Sequence, residues 1–312
     1  MSVSVVICTW NRSALLRRTL ESLRSVVVPP NQAWEVVVVN NNSSDATAEV
    51  IASFQPTLPV RPVLLRTMGA SNARNAGVAT ATGDLLLFTD DDVELDPKWM
   101  CAHLDAARQW PDAAYFAGAI HPVFADDVPR WVVRHQTALC GMLCARNLGS
   151  EGRALQLQEF PWGPNMAIRR AAFAHAAFDG TIGRIGHGQM RGSEDSFFRA
   201  LERQGASGAW VPEAKVGHQI PRSRATIPYL WRYYHGSGRG AARLEHPSAP
   251  PWPRQVRLTV HGLRCLVSDR REWPRHLADV ARRTGMLVES RRLARGKAVS
   301  QGNDVEKSRG VA

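Results

Sequence analysis

The chain has 312 residues, enough for one large domain or two small ones, and 44% of them are apolar, which is ordinary for a globular protein. No apolar run approaches the length of a membrane span, and the first strand pattern has no signal-peptide leader. Five scattered cysteines lack the spacing of a zinc site, so we expect free thiols and a cytoplasmic location.

The net charge of +11 is unevenly distributed along the chain. Residues 254–312 contain 14 Arg or Lys residues against 6 Asp or Glu residues. A basic terminus attracts anionic lipid or nucleic acid, or it is simply solvated. Nucleic acid is not predicted as a partner, because neither a nucleic-acid-binding motif nor interleaved aromatic residues accompany the charge.

Apolar runs and helical patterns alternate four times within the first 90 residues. The first two runs are continuous and β-branched, as expected for parallel strands buried on both faces. This alternation predicts an α/β fold, a mostly parallel, doubly wound sheet flanked by helices. The predicted strands are Val3–Cys8, Trp34–Val39, Val63–Leu65, Leu85–Phe88 and Ala113–Ile120, and the predicted helices are Arg12–Ser25, Ser44–Phe54, Ala70–Thr80 and 97–109.

The alternation weakens in the second half of the chain. Scattered proline, tryptophan and glycine residues over 121–160 predict loops and short helices. A cluster of prolines at Pro247–Pro253 then marks a boundary before the basic terminus. Later predicted elements are a strand at Asn165–Arg169, a helix at 194–204 and a strand at Ala209–Val211. The predicted domains are 1–245, with halves 1–120 and 121–245, and a helical basic extension 246–312 whose last residues are disordered.

Three adjacent carboxylates, Asp90, Asp91 and Asp92, directly follow the apolar run Leu85–Phe88. Like charges at one point repel one another and lose hydration unless a positive group neutralises them. Mg²⁺ takes oxygen ligands, typically one or two carboxylates together with substrate phosphate oxygens. The triplet therefore indicates a divalent cation at the carboxyl end of a strand, where open α/β sheets bind ligands. An acidic turn in which Asp96 caps the next helix is the structural alternative.

Polar residues also follow the first two predicted strands. Thr9, Asn11 and Arg12 come after the first strand, and the run from Asn40 to Asn42 comes after the second. Amide side chains can donate and accept hydrogen bonds to a heterocyclic base. The serines that follow would explain helix capping, but capping does not explain three consecutive asparagines.

Two helix starts carry further charged residues. Arg74 lies among Gly, Ala and Ser residues, where its planar fork suits a phosphate or a base edge, although small residues also serve close packing. Glu194 and Asp195 begin a later helix, where adjacent carboxylates suit the helix dipole and each raises the pKa of the other. Simple N-terminal helix charge, with Ser193 as cap, is the alternative for this pair.

In this order and spacing, the segments resemble the family-2 glycosyltransferases of the GT-A fold. The resemblance covers roughly residues 3–240. Many members have Asp where this chain has Asn40, and that Asp contacts the uracil ring. The matching segments are Cys8–Arg12, Val39–Asp45, Ala73–Gly77, Asp90–Asp92, Trp162–Arg170 with Phe178-Asp179, and Gly192–Asp195.

The resemblance implies an inverting transfer from a nucleoside-diphosphate sugar, with UDP favoured, to a hydroxyl of a glycan, lipid-linked or polysaccharide acceptor. A divalent metal, Mg²⁺ or Mn²⁺, would offset the charge on the departing diphosphate. By family position Asp195 is the base that takes the acceptor proton, with Glu194 beside it. The implied metal ligands are Asp92, Asp90 and His218, the implied donor-binding residues are Thr9, Asn11, Arg12, Asn40, Asn42, Arg74, Asp90 and Asp91, and the implied acceptor residues are Trp162, Gly163 and Asn165.

Other enzyme classes fit the sequence less well. A nucleotide-sugar pyrophosphorylase needs a glycine-rich phosphate loop after the first strand, and the segment Thr9–Arg12 contains no glycine. An NAD-binding oxidoreductase needs a G-x-G-x-x-G motif after a strand, and none is present. A catalytically inactive relative is a further alternative, against which the intact Asp triplet and the Glu-Asp pair argue.

The basic terminus also carries apolar residues at helical spacing, which predicts a short amphipathic helix. Such a helix would lie on the anionic inner face of the cytoplasmic membrane. The alternative is a helix packed on the catalytic domain with its arginines in water. The basic residues are Arg282, Arg283, Arg291, Arg292, Arg295 and Lys297, and the apolar residues are Val280, Met286, Leu287, Val288 and Leu293.

Overall fold

A computed structural model describes residues 1–183, 190–245, 256, 260 and 271–309, with side chains up to residue 294. Its described residues form two compact units, one within Met1–His187 and Ser193–Ala225 and the other within Gly188–Gly192 and Thr226–Ala312. The first unit therefore ends at Ala225, whereas the sequence predicts a boundary after residue 245, and the predicted half 121–245 contributes residues to both units. The reason is a helix after Thr226, which packs against the C-terminal helix.

The first unit contains a mixed sheet to which the described residues contribute nine strands. The strand order is β3-β2-β1-β4-β8-β6-β9-β5, and β7 pairs with β9. The strands are β1 Val3–Thr9, β2 Trp34–Asn40, β3 Val60–Leu64, β4 Leu85–Asp90, β5 Val93–Leu95, β6 Ala113–Phe124, β7 Arg153–Ala154, β8 Met166–Arg169 and β9 Ser207–Ile220.

Helices cover this sheet. The apolar run from Val36 to Val39 in β2 is fully buried, as expected for a strand covered on both faces. The predicted α/β class is confirmed, and each strand and helix predicted in the first 120 residues is present. The helices of this unit are α1 Ser13–Leu23, α2 Thr47–Phe54, α3 Ala70–Thr80, α4 Trp99–Gln109, α5 Arg130–Arg134, α6 Cys140–Leu143 and α7 Ser193–Glu202, with 3-10 turns at Arg170–Ala174 and Arg222–Arg224.

Strands β3, β2, β1 and β4 are parallel, so their carboxyl ends meet at one edge of the sheet. Register brings Thr9 beside Asn40 and Cys8 beside Asp90. The polar segments that follow β1, β2 and β4 in sequence are therefore neighbours in space.

The short strand β5 and the full length of β9 were not predicted. β5 is only three residues long, and it is recognisable as a strand only because it pairs antiparallel with the second half of β9. This pairing places Val93 opposite His218. It therefore brings a histidine from late in the chain beside the aspartate triplet, which ends one residue before β5.

In the second unit, the described residues lie mainly in two helices, α8 Ile227–Leu244 and α9 Trp273–Arg309. The two helices pack so closely at Gly238 that a Cβ there would clash with the backbone of Arg282. On α9, Val280 and Ala281 are buried, whereas Val288 is 47% exposed. Helix α9 therefore packs against α8. The sequence predicted either a helix that lies on a membrane or a helix that packs on the catalytic domain.

The structure describes only part of the predicted extension 246–312. Residues 246–255, 257–259, 261–270 and 310–312 lie outside the described residues. Helix α9 continues to Arg309, whereas the sequence predicted disorder over the last dozen or so residues. The sequence there contains no proline and includes helix-favouring Lys, Glu and Arg residues. Among the described helices, none combines the length and the apolar character needed to cross a membrane.

Candidate active site

Asp91 and Asp92 form the turn between β4 and β5, and both carboxylates are held by arginines. The Nη1 atom of Arg12 lies 2.8 Å from Oδ1 of Asp91 and 2.9 Å from Oδ2 of Asp92. Nη2 of Arg224 donates to the same Asp92 oxygen over 2.5 Å. The side chain of Asp92 is only 2% exposed, so two guanidinium groups neutralise a carboxylate that would otherwise be buried at high cost.

His218 completes this group from β9. Its Nε2 lies 3.5 Å from Oδ1 of Asp92, and Arg224 Nη1 donates to that nitrogen over 2.7 Å. Because a guanidinium only donates, Nε2 is the acceptor, and Nδ1 carries the proton that it donates to the Leu143 carbonyl, 2.8 Å away. Burial lowers the pKa of His218, which keeps the ring neutral. Its Nε2 lone pair therefore accepts from Arg224, beside the Asp92 carboxylate.

The charges in this group act on one another. Burial raises the pKa of Asp91, and the nearby Arg12 guanidinium opposes this shift. The carboxylate of Asp91 in turn raises the pKa of Arg12, which stays charged. Of the three side chains that neutralise or flank Asp92, only the histidine was predicted to share a site with Asp92. Arg12 was assigned to the donor, and Arg224 was not identified.

Asp90 belongs to a second charged group, around Arg74. Arg74 Nη2 lies 2.7 Å from Oε1 of Glu194, and its Nη1 donates to Ser193 Oγ over 3.3 Å. Ser193 Oγ donates to the other Glu194 oxygen over 2.9 Å. Burial alone would lower the pKa of Arg74, but Glu194 and Asp90 raise it. A Cβ on Gly163 would lie 2.7 Å from Arg74 Nη2 and 3.6 Å from Asp90 Oδ1, so a glycine leaves the room that this group occupies.

The loops after β1 and β2 are joined through their polar side chains. Asn11 has a left-handed backbone, with φ of 51°, and its Oδ1 accepts a hydrogen bond from the Ser44 amide. Oδ1 of Asn40 accepts from the Ser43 amide, while Asn42, also left-handed, is exposed. Thr9 is buried at the end of β1. Two of the predicted donor-binding amides therefore also fix the loops beside the carboxylates.

Asn41, which was not among the predicted site residues, ties the β2 loop to the start of α3. Its Nδ2 donates to the carbonyls of Leu65 and Thr67, and its Oδ1 accepts from the Gly69 amide. These three partners are backbone groups. The middle asparagine of the run is therefore explained by folding.

Asn165 is a correction to the predicted acceptor residues. It is fully buried, and its Oδ1 accepts from Trp99 Nε1 over 2.8 Å and lies 3.0 Å from His103 Nε2. Its Nδ2 donates to the carbonyls of Ala119 and Ala214. Burial lowers the pKa of His103 to about 4, so that ring is neutral. Asn165 therefore joins α4, β6 and β9 inside the core and does not face an acceptor.

Trp162 lies at the border of the core. Its ring packs against the main apolar cluster on one side and carries the Arg146 guanidinium 4.9 Å from its centroid. Gly163, the next residue, contacts the Arg74 group. The charge of Arg146 interacts electrostatically with Asp195, in the first turn of α7. Trp162, Arg146 and Asp195 thus belong to one neighbourhood.

The three predicted metal ligands do not converge on one point. Among the described residues, no set of three His, Cys, Asp or Glu side chains has metal-binding geometry. Asp92 and His218 lie together, whereas Asp90 lies near Arg74, because Asp90 is the last residue of β4 and Asp92 belongs to the turn that follows it. A buried carboxylate beside a neutral imidazole is nonetheless a donor pair that fits a divalent cation.

Sequence reasoning missed Arg224, Ser193 and Arg146. Arg224 had a usable signal, because it follows His218 by six residues at the end of the same segment. Ser193 was considered only as a helix cap, although a hydroxyl beside Glu194 can bond both the glutamate and an arginine. Arg146 lies in the proline- and glycine-rich region, where the sequence has no periodic pattern that would place a side chain.

Comparisons with known proteins agree with this architecture. The model of the family described as Glycosyl transferase family 2 matches residues 4–176. The succinoglycan biosynthesis protein ExoM of Rhizobium meliloti is 26% identical over 78% of this chain and 75% of its own length. The glucosyl-dolichyl phosphate glucuronosyltransferase of Haloferax volcanii is 24% identical over 80% of both chains.

Solved structures show the same fold. S. aureus TarS 1-349 superposes with a TM-score of 0.56 at 14% identity, over 95% of this chain and 92% of that one. The mannosyltransferase PcManGT of Pyrobaculum calidifontis, solved with GDP-Man and Mn²⁺, gives 0.55 at 18% identity, over 96% and 80%. The family match excludes the alternative of a pyrophosphorylase. The chain belongs to glycosyl transferase family 2 and has the GT-A fold.

Proposed function

We propose that this glycosyltransferase is a metal-dependent, inverting enzyme that transfers a sugar from a nucleoside-diphosphate sugar to a hydroxyl of a glycan or lipid-linked acceptor. The names of its relatives support the acceptor class, since they include a succinoglycan biosynthesis protein, a dolichyl phosphate glucuronosyltransferase and an undecaprenyl-phosphate transferase. Related folds have been solved with UDP-GlcNAc and with GDP-Man, which supports a nucleotide-sugar donor.

The observation that carries the proposal is the pair formed by Asp92 and His218 at the carboxyl edge of the sheet, flanked by Arg12 and Arg224. A nucleoside diphosphate carries negative charge, and guanidinium forks bind phosphate oxygens in a bidentate manner. Arg74 extends the positive side of the site. Asn40 and Asn42, on the β2 loop, are the proposed contacts to the base.

We assign the metal to Asp92 and His218, with phosphate oxygens of the donor as further ligands. When bound, a divalent cation offsets the negative charge that develops on the leaving diphosphate. Arg224 now bonds both Asp92 and His218, so it must release them for this to happen. Arg12 and Arg224 would then bind the diphosphate, so that each arginine exchanges one anionic partner for another.

Asp195 is the proposed base. Glu194 is engaged by Arg74 and Ser193, so its carboxylate is held as an ionised partner and is poorly placed to take a proton. Asp195 would remove the proton of the acceptor hydroxyl as that oxygen attacks the anomeric carbon, and the nucleoside diphosphate leaves from the opposite face. This single displacement inverts the anomeric configuration.

We place the reaction in the cytoplasm. The four cysteines among the described residues are free, which suits a reducing compartment. Peripheral membrane contact through α9 now depends on exposed arginines such as Arg282, Arg291 and Arg292, because Val280 is buried. Replacing these three arginines with Gln should release the protein from anionic liposomes at low salt, and unchanged binding would remove the membrane contact from the proposal.

A thermal-shift panel tests the donor and the metal together. UDP-, GDP- and dTDP-sugars should raise Tm only when Mn²⁺ or Mg²⁺ is present, since a ligand of the folded state stabilises it by mass action. Asp92→Asn should abolish the shift, whereas Asp105→Asn, on the exposed side of α4, should keep it. Equal shifts in EDTA would contradict the metal assignment, and no shift with any nucleotide sugar would contradict the donor class. The anomeric configuration of the transferred sugar, read by proton NMR, tests inversion.

A further inference from the structure

Arg146 is a cation that the proposed transfer does not use. Its backbone is fixed by two hydrogen bonds of 2.9 Å with Ile120 in β6. Its guanidinium lies over the ring of Trp162, at 4.9 Å from the centroid. Trp162 is itself bridged to Asn165, which is anchored in the core. The cation is therefore held in a defined place by rigid neighbours and does not extend freely into solvent.

The positive charge of Arg146 is not matched by an ion pair within the described part of the chain. Its Nε is buried and donates to no acceptor there. The nearby Glu159 is already bound by Arg153 through two contacts of 2.7 and 3.0 Å. Burial lowers the pKa of Arg146 in spite of Glu159 and Asp195, which means that desolvation exceeds the stabilisation these carboxylates give. A half-buried guanidinium in this situation is suited to bind an anion.

The position of this cation is on the acceptor side of the site. Trp162 precedes Gly163, which contacts the Arg74 group, and Arg146 interacts electrostatically with the proposed base Asp195. A base must reach the acceptor hydroxyl within hydrogen-bond distance, so the acceptor passes close to Arg146. The indole covers one face of the guanidinium and leaves its in-plane N–H groups to bind oxygen atoms.

We propose that Arg146, supported by Trp162, forms a subsite for an anionic oxygen group, a phosphate or a carboxylate, carried by the acceptor near the hydroxyl that receives the sugar. The inference depends on the proposed function, because it takes Asp195 as the base. It adds the class of acceptor: a charged molecule, such as a phosphorylated lipid carrier or an acidic sugar, and not a neutral glycan.

Binding of small probes to the full chain tests the subsite without the natural acceptor. The protein is first saturated with UDP and Mn²⁺, so that phosphate probes cannot occupy the donor site. Citronellyl phosphate and methyl glucuronoside are then titrated by calorimetry, each against its neutral counterpart, citronellol and methyl glucoside. We expect at least one anionic probe to bind about tenfold or more tightly than its counterpart, the effect of a charged hydrogen bond.

Variants assign this preference to one residue. Arg146→Gln should abolish it, Arg146→Lys should keep part of it, and Arg134→Gln, an equal charge change on the exposed side of α5, should leave it intact. The phosphate probe and the carboxylate probe distinguish a lipid phosphate from an acidic sugar. The inference is overturned if the wild-type protein has no preference for anions, or if Arg146→Gln and Arg146→Lys both retain the full preference.

UDP binding separates this result from the proposed function. If UDP fails to bind the wild-type protein, the donor assignment fails. If UDP binds but neither anionic probe is preferred, only the subsite fails.

Discussion

Two regions of the molecule contain a buried carboxylate between two arginines. In the sheet domain, Asp92 is bound by Arg12 and Arg224. In the helical unit, Glu289 of α9 is fully buried and is bound at 2.7 Å by Arg239 and at 2.9 Å by Arg243, both on α8. The chemical groups are nearly identical, but the backbones that carry them differ.

Glu289 and its arginines lie on two helices, and Arg239 and Arg243 are one turn apart on the same helix. Three rigid positions therefore determine one arrangement. Asp92 lies in a two-residue turn, Arg12 before α1 and Arg224 in a short 3-10 turn. The second arrangement also contains His218, and it lies at the open edge of a parallel sheet. Similar ion pairs thus join two helices in one region and assemble a site that can change partners in the other.

The largest effect is expected for Asp92→Asn. The change keeps the shape of the side chain but removes the charge that would hold the metal, so release of nucleoside diphosphate from the donor should fall by roughly 10³-fold. Glu289→Gln is the matched control, and its turnover per folded molecule should equal that of the wild type. Near wild-type turnover of Asp92→Asn in EDTA would show that Asp92, like Glu289, is not needed to hold a metal.

Asp195→Asn should reduce turnover by about 10²-fold or more, because it removes the proposed base, with little change in donor affinity. The measurement is steady-state transfer with separate values of kcat and of KM for the donor. Glu194→Gln is the control on the same helix, and it should weaken the contact to Arg74 without removing a base. A large loss of kcat in Glu194→Gln alone would exchange the two roles.

Glu289→Gln should destabilise the helical unit by about 2 kcal/mol, since it leaves two arginines without their shared carboxylate but partly exposed to water. Burial would raise the pKa of Glu289, but its bonds to Arg239 and Arg243 lower it. A carboxyl group whose pKa is lowered on folding stabilises the folded state at pH values above its unfolded pKa of about 4.3. This stabilisation is lost as the pH falls through the pKa of the folded state. The difference in stability between wild type and variant should therefore be constant near pH 7 and shrink below about pH 4. Equal stability of the wild type and Glu289→Gln at pH 7 would contradict the prediction.

Arg224→Gln should strengthen binding of Mn²⁺ alone by about tenfold, because it removes a cation that competes for Asp92 and His218. Calorimetric titration of the metal without nucleotide measures this directly. The same variant should bind UDP more weakly in the presence of Mn²⁺, since one phosphate partner is lost. Arg239→Gln should change neither value. Weaker Mn²⁺ binding by Arg224→Gln would show that this arginine supports the metal pair and does not compete with it.

The sequence by itself determined the α/β class and the edge at which the site lies. Continuous β-branched runs such as Val36–Val39 can be satisfied only by strands covered on both faces, and the polar residues after β1, β2 and β4 must then meet at one end. The aspartate triplet indicated positive partners because adjacent carboxylates are costly to bury without them, and in the folded chain Arg12 and Arg224 are such partners. The triplet also fixed which strand ends in the site.

The tertiary structure decided which side chain pairs with which. Asn165 and Trp162 both belong to a segment typical of the family. Asn165 is nevertheless buried between three elements, while Trp162 borders the site. The hydrophobic periodicity of the sequence does not distinguish these two positions. Arg224 reaches Asp92 across 132 positions of sequence, and β5 exists only because β9 pairs with it. Such contacts follow from the register of distant strands and from the direction of each side chain, which are fixed only when the chain has folded.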